Sequence, residues 1–238
     1  MPAGTAFRRA AWLGTALAVA WFWLVATGFQ PGELFDRGPF TADFYEVQAR
    51  ALSRGRLAVP AEVVGIEGYL VDGETHLYYG LVPALSRLPV AAFTDALDGR
   101  LVVLSQLFGV AVASLASARL LWRGGDAMGA SVSLSLSLSP WIAGAFPFAV
   151  GAASPLLWLA ARPLVYHEAE LWGAALALVG FERVVAWWTT RGPRDLVLAS
   201  VAGALAVSTR ASTGLGPVLA LTLLAVVLVA QSSFKRAQ

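Results

Sequence analysis

A chain of 238 residues that is 58% hydrophobic and 13% charged, with a mean hydropathy of +0.67, is neither one large soluble domain nor two small ones, because soluble domains carry about 25% charged residues. The formal net charge is only +2, and sixteen Arg against a single Lys are scattered along the chain with no basic face, so no nucleic-acid partner is expected. With no Cys there is no disulfide, thiolate ligand or thiol nucleophile, and the two His lie in separate segments, so no zinc cluster is expected and no cofactor is indicated, a divalent cation being left open.

Hydrocarbon offers no partner to backbone N–H and C=O groups, so each membrane crossing takes about 20 apolar residues in a helix. Ala10 to Gly32 carries no charge and reads as a first span over 10–28. It is uncleaved, because bulky Trp21-Phe22-Trp23-Leu24 stands where a signal peptide needs a small-x-small site. Leu101 to Ala118 anchors a second span, about 100–121. The 35 residues from Ala127 to Ala161 are free of charge but interrupted by Pro140, Pro147 and Pro155. A third span is set at 138–160, and Ser131 to Ser139, alternating Ser with Val or Leu, is low-complexity chain leading into it. Spans at 166–188, 195–209 and 213–230 follow.

The sequence therefore predicts an all-α polytopic membrane protein of about six transmembrane helices, a single membrane domain over 1–238. Short cytoplasmic loops carry Arg and Lys. With the N-terminus in the cytoplasm, Arg8-Arg9, Arg119 with Arg123, Arg191 with Arg194, and Lys235-Arg236 all fall on the inner side of a plasma membrane.

The first loop, 29–99, is then exoplasmic and holds ten of the fifteen acidic residues. Thr41 reads as N-cap of a surface helix over Ala42 to Arg54, with Gly55 just past its end and Glu46 and Arg50 as an i,i+4 pair. Phe44, Val47 and Ala51 share a face, which lets this helix lie flat on the membrane. Asp72-Gly73 between β-prone runs marks a hairpin within Gly68 to Tyr79. Gly80 to Pro89 returns to the bilayer as a Pro-punctuated apolar segment too short to span.

Phosphate-binding loops, nucleophile elbows and zinc or calcium motifs are absent from the sequence. What remains is ionisable groups at membrane-surface depth, which are costly and therefore candidates for function. Asp43, in the first turn of the loop helix, is either a general base held as the anion by the helix N-terminus or a plain helix-dipole residue. Arg162, Tyr166, His167, Glu168 and Glu170 cluster where the third and fourth spans meet, either as a site or as ordinary interfacial residues. On a 3.6-residue helix Glu170 points about 200° from Glu168, so only one of them faces a given cleft. Arg210, between two apolar runs, either holds a phosphate or snorkels to a head group, and His76 is a surface residue of the hairpin.

The order of these features resembles the GT-C superfamily of membrane glycosyltransferases. The stretch Phe40-Thr41-Ala42-Asp43-Phe44-Tyr45 through Gly55 is similar to that family's first exoplasmic loop. Tyr78 to Pro89 resembles its proline-containing segment, Ser154 to Glu168 its broken third span, and Ala202 to Arg210 its basic break. The resemblance covers about residues 10 to 230 and implies sugar transfer from a polyprenyl-phosphate donor to an acceptor on the outer face, with inversion. It puts Asp43 in the position of the base and Glu168 in that of the second acidic residue, with Arg162 or Arg210 near the lipid phosphate and Tyr45 and His167 against substrate. Family members usually have more spans, so the chain reads as a truncated or degenerate copy, or as one part of a split protein whose partner chain supplies further helices. The competing expectation is a non-catalytic membrane protein whose outer platform binds lipid or a partner chain.

Overall fold

The computed structural model describes residues 3–128 and 139–236. Its long elements are the apolar runs of the sequence wound into helices: α1 (Ala3–Ala26), α5 (Val102–Met128), α6 (Pro140–Ala152), α7 (Pro155–Ala160), α8 (Val165–Thr190), α9 (Pro193–Thr209) and α10 (Ala211–Arg236). Between α1 and α5 lie α2 (Phe44–Ser53), α3 (Ala61–Val64), a hairpin of β1 (Gly68–Val71) and β2 (Glu74–Leu77), and α4 (Val82–Ala91). Three of the helices are long and apolar enough to cross a membrane, over Gly4–Ala26, Val102–Ala127 and Ala211–Gln231. At 1.5 Å per residue each exceeds the hydrocarbon thickness of about 30 Å. The chain is a membrane-embedded, all-α protein. The Ser-alternating run at 131–138 lies outside the described residues, as do the side chains of the Lys235-Arg236 pair.

Neighbouring helices reveal their directions by what they touch. Phe7 stacks on Trp122 at 4.7 Å while Phe22 packs with Val110, so α1 and α5 are antiparallel. Gly109 meets Leu171 and Arg123 meets Glu182, so α5 and α8 run the same way. Gly14 and Gly144 bring α1 and α6 into parallel contact so close that a Cβ on Gly14 would fall 2.0 Å from the Gly144 carbonyl oxygen. The helix α8 is central, packed against α5, α9 and α10. Side chains are buried all round it, from Glu168 and Leu171 to Glu182 and Ala186, and its buried carboxylates are carried by arginine partners, Arg87 for Glu168 and Arg123 for Glu182.

Proline and serine set the break between α6 and α7. Pro155 cannot donate an N–H and starts a new helix, and the Ser154 hydroxyl accepts from the Leu156 amide at 3.1 Å. The hairpin forms where Asp72 and Gly73 both take positive φ, 50° and 82°, as a two-residue type I′ turn requires. Its register pairs Tyr69 with His76 and Val71 with Glu74.

The elements between α1 and α5 form a platform at the end of the bundle where α1 stops. Phe44, Tyr45, Val64, Leu77, Tyr79 and Ala84 make its core, joined by Val165 from the start of α8. Gly80 lies directly on the last turn of α9, where a Cβ would come within 2.1 Å of the Thr209 backbone.

Three expectations are corrected here. The loop helix begins at Phe44 with Asp43 at its N-cap, and Thr41 instead sits in the preceding turn with its hydroxyl buried and without a partner among the described residues. Its apolar face turns inward, where Phe44, Val47 and Ala51 pack with α4 and the hairpin in the platform core. Glu46 and Arg50 are not paired with each other: an i,i+4 pair is worth only about 0.2–0.5 kcal/mol, and each has a stronger tertiary partner, Arg87 for Glu46 and a two-pronged contact with Asp98 for Arg50.

Candidate functional site

A fully buried group of ionisable side chains sits where the platform meets the bundle. Arg87, on α4, is 2% exposed. Its Nε donates to Glu46 Oε1 at 2.9 Å, and its Nη1 and Nη2 donate to the two carboxylate oxygens of Glu168 at 2.6 and 2.9 Å. Nη1 also donates to the Pro83 carbonyl, one turn earlier. The Tyr45 ring covers the guanidinium with its centre 5.3 Å away, and the Tyr45 hydroxyl donates to the Val165 carbonyl at 3.4 Å. One cation thus joins α2, α4 and α8.

Two carboxylates share that single cation, and Glu46 Oε2 is buried with no partner among the described residues. Burial pushes the Glu46 carboxyl up to about 7, against the pull of Arg87. Arg87 stays charged, because Glu168 and Glu46 together outweigh the desolvation that would lower it. Burial, aided by Glu168, also raises the Tyr45 hydroxyl well above its ordinary value, so it is a neutral donor.

Asp43 is placed differently. It stands at the head of α2 with its side chain 23% exposed, and it accepts from Arg37 Nη2 at 3.3 Å. Arg37 lines a recess of about 160 Å³ between the facing ends of α1 and α5, together with Glu33, Asp36, Arg100 and Pro163. Asp43 and Glu168 are therefore not brought face to face. Glu46, three residues further along α2, is the carboxylate that reaches Glu168's partner.

The other candidates separate in the same way. Glu170 points away from Glu168 and accepts from Arg210 Nε at 2.7 Å, a pair about one-third exposed. Arg162 is exposed, with no ion pair among the described residues, and its carbonyl meets His167 Nδ1. The His167 ring packs on Trp158 at 4.9 Å. Tyr45 lies in the platform core, not on a surface.

Two groups went unnoticed in the sequence. Arg87 is the first; its signal was a guanidinium inside an apolar segment, which demands buried carboxylates. The second is Glu67, which accepts from the hydroxyls of Tyr166, Tyr79 and Tyr78 at 2.6, 2.7 and 3.1 Å. The bonds from Tyr166 and Tyr79 hold its carboxyl below the usual range. No local pattern marks that cluster, whose members span 99 positions.

Among the described residues no three His, Asp or Glu side chains are grouped as metal ligands. Comparison with protein-family models, with curated proteins and with solved structures returns no match.

Proposed function

We propose that the chain is a six-span plasma-membrane protein of GT-C type, with its N-terminus in the cytoplasm and its platform on the outer face, that transfers a sugar from a polyprenyl-phosphate donor. Asp43 carries the proposal: a part-exposed carboxylate at a helix N-terminus, beside the guanidinium of Arg37 and the recess that Arg37 and Arg100 line. In the step assigned to it, Asp43 takes the proton of an acceptor hydroxyl as that oxygen bonds to the anomeric carbon. The bond from that carbon to the phosphate oxygen breaks from the opposite face, and its electron pair leaves with the phosphate. A cation near the departing phosphate is required, and Arg37, Arg100 and the exposed Arg162 are guanidiniums at this end that no buried carboxylate occupies. Glu168, with both oxygens on Arg87, acts by holding the platform on the bundle.

One observation favours the second reading, a non-catalytic protein that binds lipid or a partner chain. Glu168 and Tyr45, two of the residues that the GT-C resemblance marks, are sealed in the platform core.

The test has two arms. Because the chain has no Cys, a single cysteine placed at Ile66, which is 96% exposed, reports which side the platform faces. Labelling of intact cells by a membrane-impermeant maleimide is expected, and labelling only after permeabilisation overturns the topology. In membranes supplied with a polyprenyl-phosphate sugar, Asp43→Asn is expected to abolish transfer at normal expression. Unchanged transfer removes Asp43 as the base, and no transfer by the wild-type chain with any such donor favours the non-catalytic reading.

A further inference from the structure

A large cavity lies at the opposite end of the bundle, where α1 begins. It measures about 700 Å³ between the first turns of α1 and the last turns of α5. Its walls are apolar, among them the Phe7 and Trp122 pair, Trp12 and Leu115, and its charged lining is Arg8, Arg119, Arg123 and Asp126. A second groove of about 430 Å³ runs between α5, α8 and α9, lined by Val112, Leu176, Val201 and Leu205. Leu115 and Arg119 line both, so the two grooves meet at Arg119.

The charge at that junction is arranged to leave donors over. Glu182, buried about two turns before the end of α8, accepts from Arg123 Nε at 2.6 Å and is also touched by Arg183, itself shared with Asp195, and, at 3.3 Å, by Arg119. One carboxylate cannot occupy the donors of three guanidiniums, each of which has five. Arg119 keeps a side chain 58% exposed, and the exposed Arg8 donates, among the described residues, to the Gly4 carbonyl of its own helix.

We propose that this junction binds one anionic glycerophospholipid, its phosphate on the guanidiniums of Arg119 and Arg8 and its two acyl chains in the two grooves. Charge complementarity selects the occupant: apolar channels on both sides of a cation with free donors match a diacyl lipid with a net negative head group, and the helices that form the grooves include two long and apolar enough to cross the bilayer. The site is distinct from the platform and independent of whether the platform catalyses anything.

The test is native mass spectrometry of the full chain in detergent with dioleoyl phosphatidylglycerol or dioleoyl phosphatidylcholine. Phosphatidylglycerol is expected to stay bound preferentially, the preference falling roughly fivefold in Arg8→Gln and about thirtyfold in Arg8→Gln/Arg119→Gln, and surviving in Arg119→Lys. Inorganic phosphate at millimolar concentration is expected not to displace the lipid. Equal retention of the two lipids by the wild type, or an unchanged preference in the double variant, overturns the proposal. Displacement by phosphate overturns the assignment to a lipid. If the double variant does not fold, the exposed Arg8→Gln decides alone, and no loss of preference there counts against the site.

Discussion

The two ends of the bundle bury charge in opposite ways. At the platform, one guanidinium serves two carboxylates, and Arg87, Glu46 and Glu168 are all nearly inaccessible. At the other end, buried Glu182 meets three guanidiniums, of which Arg183 is shared with Asp195, and their side chains keep from 13% to 58% of their exposure. The first arrangement exhausts its cation and leaves a carboxylate oxygen over; the second exhausts its anion and leaves cations over. Both are costly to bury, but only the second offers charge to something outside the chain. The platform triad is a fastening, and the Glu182 cluster is a receiving surface.

The largest expected effect comes from removing the shared cation. Arg87→Met leaves two carboxylates facing an apolar core and is expected to cost about 3–5 kcal/mol, read as earlier thermal unfolding of the detergent-solubilised protein. Adding Glu46→Gln and Glu168→Gln to Arg87→Met should recover part of the loss, because the destabilisation lies in unpaired charge and not in missing volume. Equal unfolding of the single and triple variants would break the contrast between the two ends.

The second effect depends on pH. The folded-state carboxyl of Glu46, at about 7, lies above its ordinary value of 4.5. The contribution of its protonated form is therefore fully present below pH 4.5 and is lost as pH rises through 7. Wild-type stability should fall between about pH 5 and 8, while Glu46→Gln, which cannot ionise, should flatten that slope; parallel profiles would remove Glu46 from the account. The smallest effect belongs to the other cluster. Glu182→Gln should cost only about 1–2 kcal/mol, since the released arginines relax into water, and it should strengthen retention of phosphatidylglycerol. Weaker retention would mean that Glu182 positions Arg119 more than it competes for it.

Features set by neighbouring residues were legible in the sequence. The hairpin at Asp72-Gly73, Gly55 at positive φ after the loop helix, the divergence of Glu168 from Glu170 and the break at Pro155 all follow from local turn chemistry or the helical period. The membrane character of the chain follows from composition. The fastening was not legible, because its partners stand 41 and 81 positions apart. Each looked satisfied locally: Glu46 had Arg50 one turn away, Glu168 resembled an interfacial residue, and Arg87 was hidden in a segment noticed for its prolines. Asp43 was read correctly as a helix-terminus residue, but the register of α2 sends Glu46, not Asp43, toward Glu168.

The close approach of Gly14 to Gly144 bears on how the molecule is assembled. On that side α1 is covered by a helix that follows more than a hundred residues later, so its glycine notch is filled only when α6 is in place beside it. A side chain at Gly14 would leave both helices able to form but unable to seat, whereas one at Gly144 meets the Ala10 carbonyl oxygen at 3.2 Å and asks for a smaller shift. The defect would show as a late failure of assembly, with a nascent chain already threaded and no partner to close on.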